Sequence, residues 1–332
     1  MIDTGCHDEL LWQFFIAFIY CYEEAMEEVQ FVKRVRNILH LEEYSDLRHT
    51  PGNFTIAVLD TGIVKHPDLK ENIAGFYEVA TGRTIPYDDN GHGTHIAGII
   101  CGNGAMSGGK YEGIMPSAKI VSIKILDRTG DGTTEYLQGA LKWILKNHKH
   151  YRIRIVNISI GMEKNVSESI QKKIQELISQ LYHENILIIT AAGNNGPAPM
   201  TLSVLGESDD VIAVGCYDFG FRGKDGRSCF EYSARGPSRY SLKKPDLLAP
   251  GTEIISCSNR YRKGKGMAYT AKSGTSMATA VVTGAAAMLL TKHEYSSEEL
   301  KNHLRLAAKD LHEPWNLQGF GVLDIGGILS KP

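Results

Sequence analysis

Four polar side chains stand where an α/β fold would carry chemistry. Asp60 directly follows an apolar run, and Asn194 follows another. His92 and Ser276 each stand at the start of an apolar helical pattern. Functional groups of an α/β sheet collect beyond the carboxyl ends of its strands. The chain order Asp, His, Ser is a known order of a nucleophilic triad, in which His takes the Ser proton and Asp orients the imidazole. An amide such as Asn194 can then donate to the developing oxyanion.

Each of these residues also has an ordinary structural interpretation. Asp60 in Asp-x-Gly is typical of a turn, Ser276 of a helix N-cap, and Asn194 before Asn-Gly of another turn. His92 and His95 are three apart and could hold a metal, but the H-E-x-x-H spacing of a zinc site is absent. What favours a catalytic interpretation is that the residues occur together in this order.

The elements around these residues alternate between strand and helix. Apolar β-branched runs predict buried strands at 54–59, 119–126, 153–160, 186–192 and 211–214. Helical spacing is found at 95–102, 134–148, 167–183, 275–290 and 297–308. This alternation predicts an α/β fold in three layers, with a mostly parallel central sheet and helices on both faces.

The sequences around the four residues resemble those of the subtilisin-like serine proteases, the subtilases. The resemblance extends over roughly residues 37–330 and is closest to the bacterial intracellular type. The matching motifs are residues 58–62, 87–98, 102–111, 191–194, 233–237, 244–251 and 273–278. The resemblance implies a serine endopeptidase that hydrolyses peptide bonds through an acyl-enzyme, with the triad Asp60, His92 and Ser276 and the oxyanion donor Asn194.

The resemblance also implies a specificity pocket and a metal site. Two walls of the pocket would be formed by Ser159, Ile160 and Gly161 and by Ala192 and Gly193. Small residues there leave room for a sizeable apolar substrate side chain. The chemistry needs no cofactor. Asp68 matches a position that ligates a structural calcium ion in many subtilases, although calcium needs 6–8 oxygen ligands and the sequence does not identify them.

The chain departs from the family pattern on the helix after the nucleophile. Ala280 and Val281 stand where family members usually have Pro and often His. Neither change removes a catalytic atom, so the chemistry is expected to be retained.

Composition limits the other classes of function. The 332 residues carry 36 Lys and Arg against 38 Asp and Glu, a net charge of −2, which argues against a nucleic-acid binder. The apolar segment 10–22 is too short to span a membrane, which needs about 20 residues, and it lacks the basic flank of a secretory signal. We therefore expect a cytoplasmic protease of protein or peptide substrates, with six reduced cysteines. Residues 1–36 are expected to form a helical extension of the catalytic domain 37–332. The sequence leaves the oligomeric state open.

Two rival functions have weaker support. Residues 104–110 spell G-x-x-x-x-G-K, but Tyr111 stands where a phosphate loop needs Ser or Thr, so an ATPase is disfavoured. A non-catalytic binding module on the same fold would have to occlude or distort a triad whose atoms are all present.

Overall fold

A sheet of seven parallel strands forms the middle layer of the computed structural model, which describes residues 35–161, 166–240, 242–261 and 264–330. Its strands are β1 (Thr55–Asp60), β2 (Ile73–Glu78), β3 (Lys119–Lys124), β4 (Ile153–Ile158), β5 (Leu187–Ala191), β6 (Val211–Cys216) and β7 (Leu247–Ala249). An antiparallel hairpin of β8 (Ile254–Cys257) and β9 (Tyr269–Lys272) lies outside this sheet.

Eight α-helices accompany the sheet in the described residues. They are α1 (Ser45–His49), α2 (His92–Cys101), α3 (Thr134–Tyr151), α4 (Glu168–His183), α5 (Thr275–Lys292), α6 (Ser297–Leu306), α7 (Trp315–Gln318) and α8 (Ile325–Ser330). Short 3₁₀ turns are found at Leu41–Tyr44, Ala105–Ser107, Leu205–Glu207 and Cys229–Glu231.

Strand β1 shows why both faces of the sheet are covered. All six of its residues are buried. Ile56 and Val58 belong to the apolar core that contains α2 and α5. Ala57 and Leu59 point to the other face and join the core that contains α3 and α4. Side chains alternate between the faces of a strand, so an unbroken apolar run is what a doubly covered strand requires. The predicted three-layer α/β fold is confirmed.

The strand order places a crevice at the carboxyl end of β1. The order is β2-β3-β1-β4-β5-β6-β7, so β1 pairs with β3 on one side and with β4 on the other. The direction of winding reverses there, and ligands of open α/β sheets bind in such a crevice. Asp60 is the last residue of β1.

The five predicted strands and the five predicted helices are all found, with shifted ends. The largest difference that bears on the site is α2, which begins at His92 and not at residue 95. Strands β2 and β7 and the hairpin were not predicted. Within the described ranges no helix combines the length and the apolar character needed to cross a bilayer. The apolar segment 10–22 and nearly all of the predicted 1–36 extension lie outside the described residues.

Candidate active site

The end of β1 and the first residue of α2 bring a carboxylate and an imidazole together. His92 Nδ1 lies 2.8 Å from Asp60 Oδ1 and 2.9 Å from Oδ2. Asp60 is fully buried, and its Oδ1 also accepts from the Thr61 backbone N–H at 2.7 Å. A carboxylate that accepts at Nδ1 fixes the tautomer in which Nε2 is free to take a proton.

Glycine makes this approach of helix and strand feasible. A Cβ atom built on Gly93 would lie 2.2 Å from the Gly62 carbonyl oxygen and 3.1 Å from Asp60 Cβ. No side chain fits in that gap. Gly93 is therefore required for α2 to pack against the end of β1.

Asp88 links the loop before α2 to the residue that follows β1. Its Oδ1 accepts from Gly91 N–H at 2.7 Å and from the Thr61 hydroxyl at 2.9 Å, and its Oδ2 accepts from Thr94 N–H at 2.9 Å. The Thr61 hydroxyl in turn accepts from Gly93 N–H at 2.9 Å. Asp88 caps the start of α2 and thereby positions His92. This role was not predicted from the sequence, where its signal is an Asp placed shortly before the first helical residue.

Ser276 is the second residue of α5, where backbone N–H groups have no partner inside the helix. Gly274 caps this helix at φ 150°, a conformation that favours glycine. The Ser276 hydroxyl donates to the Ser159 carbonyl oxygen at 2.8 Å. In the part of the chain that the structure describes, no hydrogen bond joins Ser276 to His92, so the hydroxyl must rotate to pass its proton to the imidazole.

The Asn194 amide has a defined orientation. Its Oδ1 accepts from the Thr275 backbone N–H at 3.1 Å and from the Thr275 hydroxyl at 3.0 Å. Because a backbone N–H can only donate, the oxygen must face Thr275 and the NH₂ group must face away from it. That arrangement leaves the NH₂ group available as a donor beside Ser276.

A cavity of about 550 Å³ lies next to these groups. Its lining includes His92, Ser159, Ile160 and Gly161. The apolar part of the wall comes from further side chains, namely Ile125, Leu126, Leu137 and Val166. Ser159 is also the residue whose carbonyl accepts from the Ser276 hydroxyl, so the hydroxyl lies next to one wall residue of the cavity, although Ser276 is not itself a lining residue.

Other predicted site residues lie elsewhere. Ala192 and Gly193 do not line this cavity, and Ala192 packs in a small buried cluster with Leu202 and Ala234. The second pocket wall therefore stays a prediction. Asp68 is also absent from the cavity lining and is fully buried near the hairpin, where its carboxylate accepts from Tyr269.

The two histidines of the motif have opposite protonation behaviour. Burial disfavours the charged form of His92, but the charge and hydrogen bonds of Asp60 outweigh it and leave the pKa raised. Burial, followed by the charge of His92, lowers the pKa of His95 to about 3. His95 Nε2 donates to the carbonyls of Ile254 and Thr270. His95 therefore holds the hairpin, and a metal site on the two histidines is not supported.

The cysteines differ from the expectation of six reduced thiols. Cys216 and Cys229 form a disulfide, with Cα atoms 5.4 Å apart and a sequence separation of 13. The expectation was wrong for this pair because contacts across the fold, and not sequence spacing, bring the two together. Cys101 and Cys257 are free and buried, and Cys6 and Cys21 lie outside the described residues.

Comparison with known proteins gives one consistent result. A family model described as the subtilase family matches residues 52–322. Serine protease AprX of Bacillus subtilis (strain 168) is 34% identical over 285 residues, which cover 81% of this chain and 64% of AprX. Subtilisin Savinase of Lederbergia lenta is 32% identical over 276 residues, which cover 83% of this chain and 90% of that protein. Among solved structures, sphericase superimposes with a TM-score of 0.70 at 26% identity, covering 88% of this chain and 97% of sphericase. The chain thus spans under two thirds of AprX but nearly all of the shorter relatives.

Proposed function

Since the chain belongs to the subtilase family of serine proteases, we propose that it is an endopeptidase that works through Asp60, His92 and Ser276. The observation that carries this proposal is the imidazole of His92, which is held at Nδ1 by a buried carboxylate and lines a cavity whose wall residue Ser159 accepts from the Ser276 hydroxyl. Asn194 is proposed as the oxyanion donor because its NH₂ group faces away from Thr275.

The reaction follows from these positions. His92 Nε2 takes the proton from Ser276 Oγ as the oxygen attacks the peptide carbonyl carbon. The carbonyl oxygen becomes an oxyanion that Asn194 Nδ2 and the Ser276 backbone N–H stabilise. His92 then gives the proton to the leaving amine, and the C–N bond breaks to leave an acyl-enzyme. Water repeats the sequence with the same base and releases the acid product.

The substrate class follows from the cavity. Its wall contains an apolar patch among polar residues and glycines, and that patch is formed by Ile125, Leu126, Leu137, Ile160 and Val166. We propose that an extended protein or peptide substrate places a bulky apolar side chain there. The exposed cavity residue Gly161 has no atom within 4 Å of the place where a Cβ atom would stand, so a substrate backbone can approach it closely.

The present position of the Ser276 hydroxyl bears on the rival function, a non-catalytic module. The hydroxyl donates to a carbonyl and not to His92. Rotation about one side-chain bond redirects it, and catalytic hydrogen bonds commonly tighten only when substrate binds. A module without activity would need this rotation to be blocked.

Hydrolysis of casein by the purified protein tests the proposal. We expect activity that disappears in Ser276→Ala and persists in the matched control Ser273→Ala, whose hydroxyl only accepts from Glu253 N–H at 2.8 Å. Undiminished hydrolysis by Ser276→Ala would refute the assignment. Membership of the intracellular branch and location in the cytoplasm stay predictions from the sequence.

A further inference from the structure

The resemblance to subtilases implies a calcium ligand at Asp68, and the contacts of this carboxylate test whether calcium fits. Asp68 Oδ1 accepts from Met106 N–H at 2.9 Å, and Oδ2 accepts from the Tyr269 hydroxyl at 2.5 Å. Both carboxylate oxygens thus have protein donors.

The adjacent loop, residues 102–114, would have to supply the other oxygens. Its Gly104 carbonyl accepts from the N–H groups of Ser107 and Gly109, each at 2.9 Å. The Gly102 carbonyl accepts from Gly113 N–H at 2.7 Å. The Asn103 side-chain oxygen accepts from Ala105 N–H at 3.0 Å. Calcium needs 6–8 oxygen ligands, whereas these oxygens face N–H donors.

Positive charge at the loop comes from arginine. Arg48 of α1 is fully buried and donates to the carbonyls of Ile114 at 2.8 Å and Gly113 at 2.7 Å. It also pairs at 2.9 Å with the carboxylate of Glu112, which belongs to the same loop. Arg36 donates to the Gly109 carbonyl at 2.9 Å. A divalent cation beside these guanidinium groups would be repelled, so the residues do not fit a calcium site.

We propose that Tyr269, Arg48 and Arg36 replace a metal ion at this loop, so that the fold keeps the loop in place without calcium at Asp68. The two arginines precede residue 52, where the match to the family model begins. The segment from residue 35 to residue 49 is therefore an integral part of the loop's support. The planar fork of arginine suits this role because one side chain can bind two carbonyls and a carboxylate at once.

Thermal unfolding of the full chain carrying Ser276→Ala tests the proposal without self-digestion. After dialysis against EGTA, the melting temperature should be the same with EGTA and with millimolar calcium. If Asp68 bound calcium, a free calcium concentration about one hundred times the Kd of the site would raise the melting temperature by roughly 5 °C. A rise of that size that is abolished by Asp68→Asn would overturn the proposal. A rise that survives Asp68→Asn comes from another site and supports a metal-free Asp68.

Substitution of the proposed donor gives a second, independent measurement. In the same background, Tyr269→Phe should lower the melting temperature by roughly 2–6 °C, because it leaves a buried carboxylate oxygen without its donor. The matched control Tyr240→Phe alters an exposed side chain and should change nothing. An unchanged melting temperature for Tyr269→Phe would contradict the proposal. Neither readout involves proteolysis, so failure here is distinguishable from failure of the proposed activity.

Discussion

The contact between His92 and Asp60 determines how activity should depend on pH. His92 must be neutral to accept the Ser276 proton, and the contact with Asp60 raises its pKa. The value of kcat/KM should therefore rise with pH through a midpoint above about 6.5, the pKa of an unperturbed histidine. A pH–rate profile on a peptide substrate measures this midpoint.

The same pH–rate profile of the Asp60→Asn variant tests whether the carboxylate sets this midpoint. Loss of the carboxylate should move the midpoint to lower pH and reduce kcat by about 10⁴, since the imidazole is then held in the wrong tautomer. Activity with a maximum near pH 4 would instead indicate a carboxyl-based mechanism and contradict the role of His92.

Asn194 should act on the transition state and hardly on substrate binding. Its NH₂ group meets negative charge that exists only after attack on the carbonyl. Asn194→Ala should lower kcat by about 10²–10³, the cost established for such a donor in subtilisin itself, with little change in KM. Asn195→Ala, at the exposed neighbouring position, is the matched control. An increase in KM alone would mean that Asn194 contacts the ground-state substrate.

At the scale of elements, the start of α2 depends on Asp88. Asp88→Asn keeps the shape of the side chain but turns one acceptor oxygen into a donor facing N–H or O–H groups of Gly91, Thr61 or Thr94. Each buried donor left unsatisfied costs about 1–3 kcal/mol. We expect a lower melting temperature and a lower kcat, with KM less affected because Asp88 itself does not line the cavity. An unchanged kcat in a destabilised variant would show that Asp88 has a purely structural role.

The sequence predicted those elements whose pattern is strong and local. Strand β1 is an unbroken apolar run, and α4 has its buried residues at helical spacing. Strand β7 has only three residues, and β9 is mostly half-exposed, so neither has a pattern that differs from a loop.

The site was predictable to a similar degree. The residue types and their order predict Asp60, His92 and Ser276 as a triad, because the motifs around them are local, and the structure brings Asp60 and His92 into contact. The contact between Asp68 and Tyr269 was not predictable, since 201 residues separate them in sequence. The same holds for the orientation of the Ser276 hydroxyl, which depends on packing against β4.

At the scale of the whole molecule, the N-terminal segment is the part whose role is most open to experiment. The proposed extension 1–36 ends at Arg36, which binds the Gly109 carbonyl and pairs with Glu42 at 2.8 Å. Two truncations that differ by Val35 and Arg36 separate bracing from restraint. Deletion of 1–36 should lower the melting temperature by a few degrees relative to deletion of 1–34.

Activity of the same truncations tests restraint of the protease by the extension. A stable truncated enzyme with higher kcat/KM than the full chain would support restraint. Equal stability, activity and oligomeric state of both truncations and the full chain would contradict docking of the extension on the catalytic domain.

Labelling with a fluorophosphonate tests the central claim most directly, because only an activated serine forms the covalent adduct. The account predicts one phosphonyl group per chain, located on Ser276 by peptide mass spectrometry, with labelling lost in Asp60→Asn at neutral pH and in Ser276→Ala. A folded wild-type protein that remains unlabelled, or an adduct on any other serine, would contradict it.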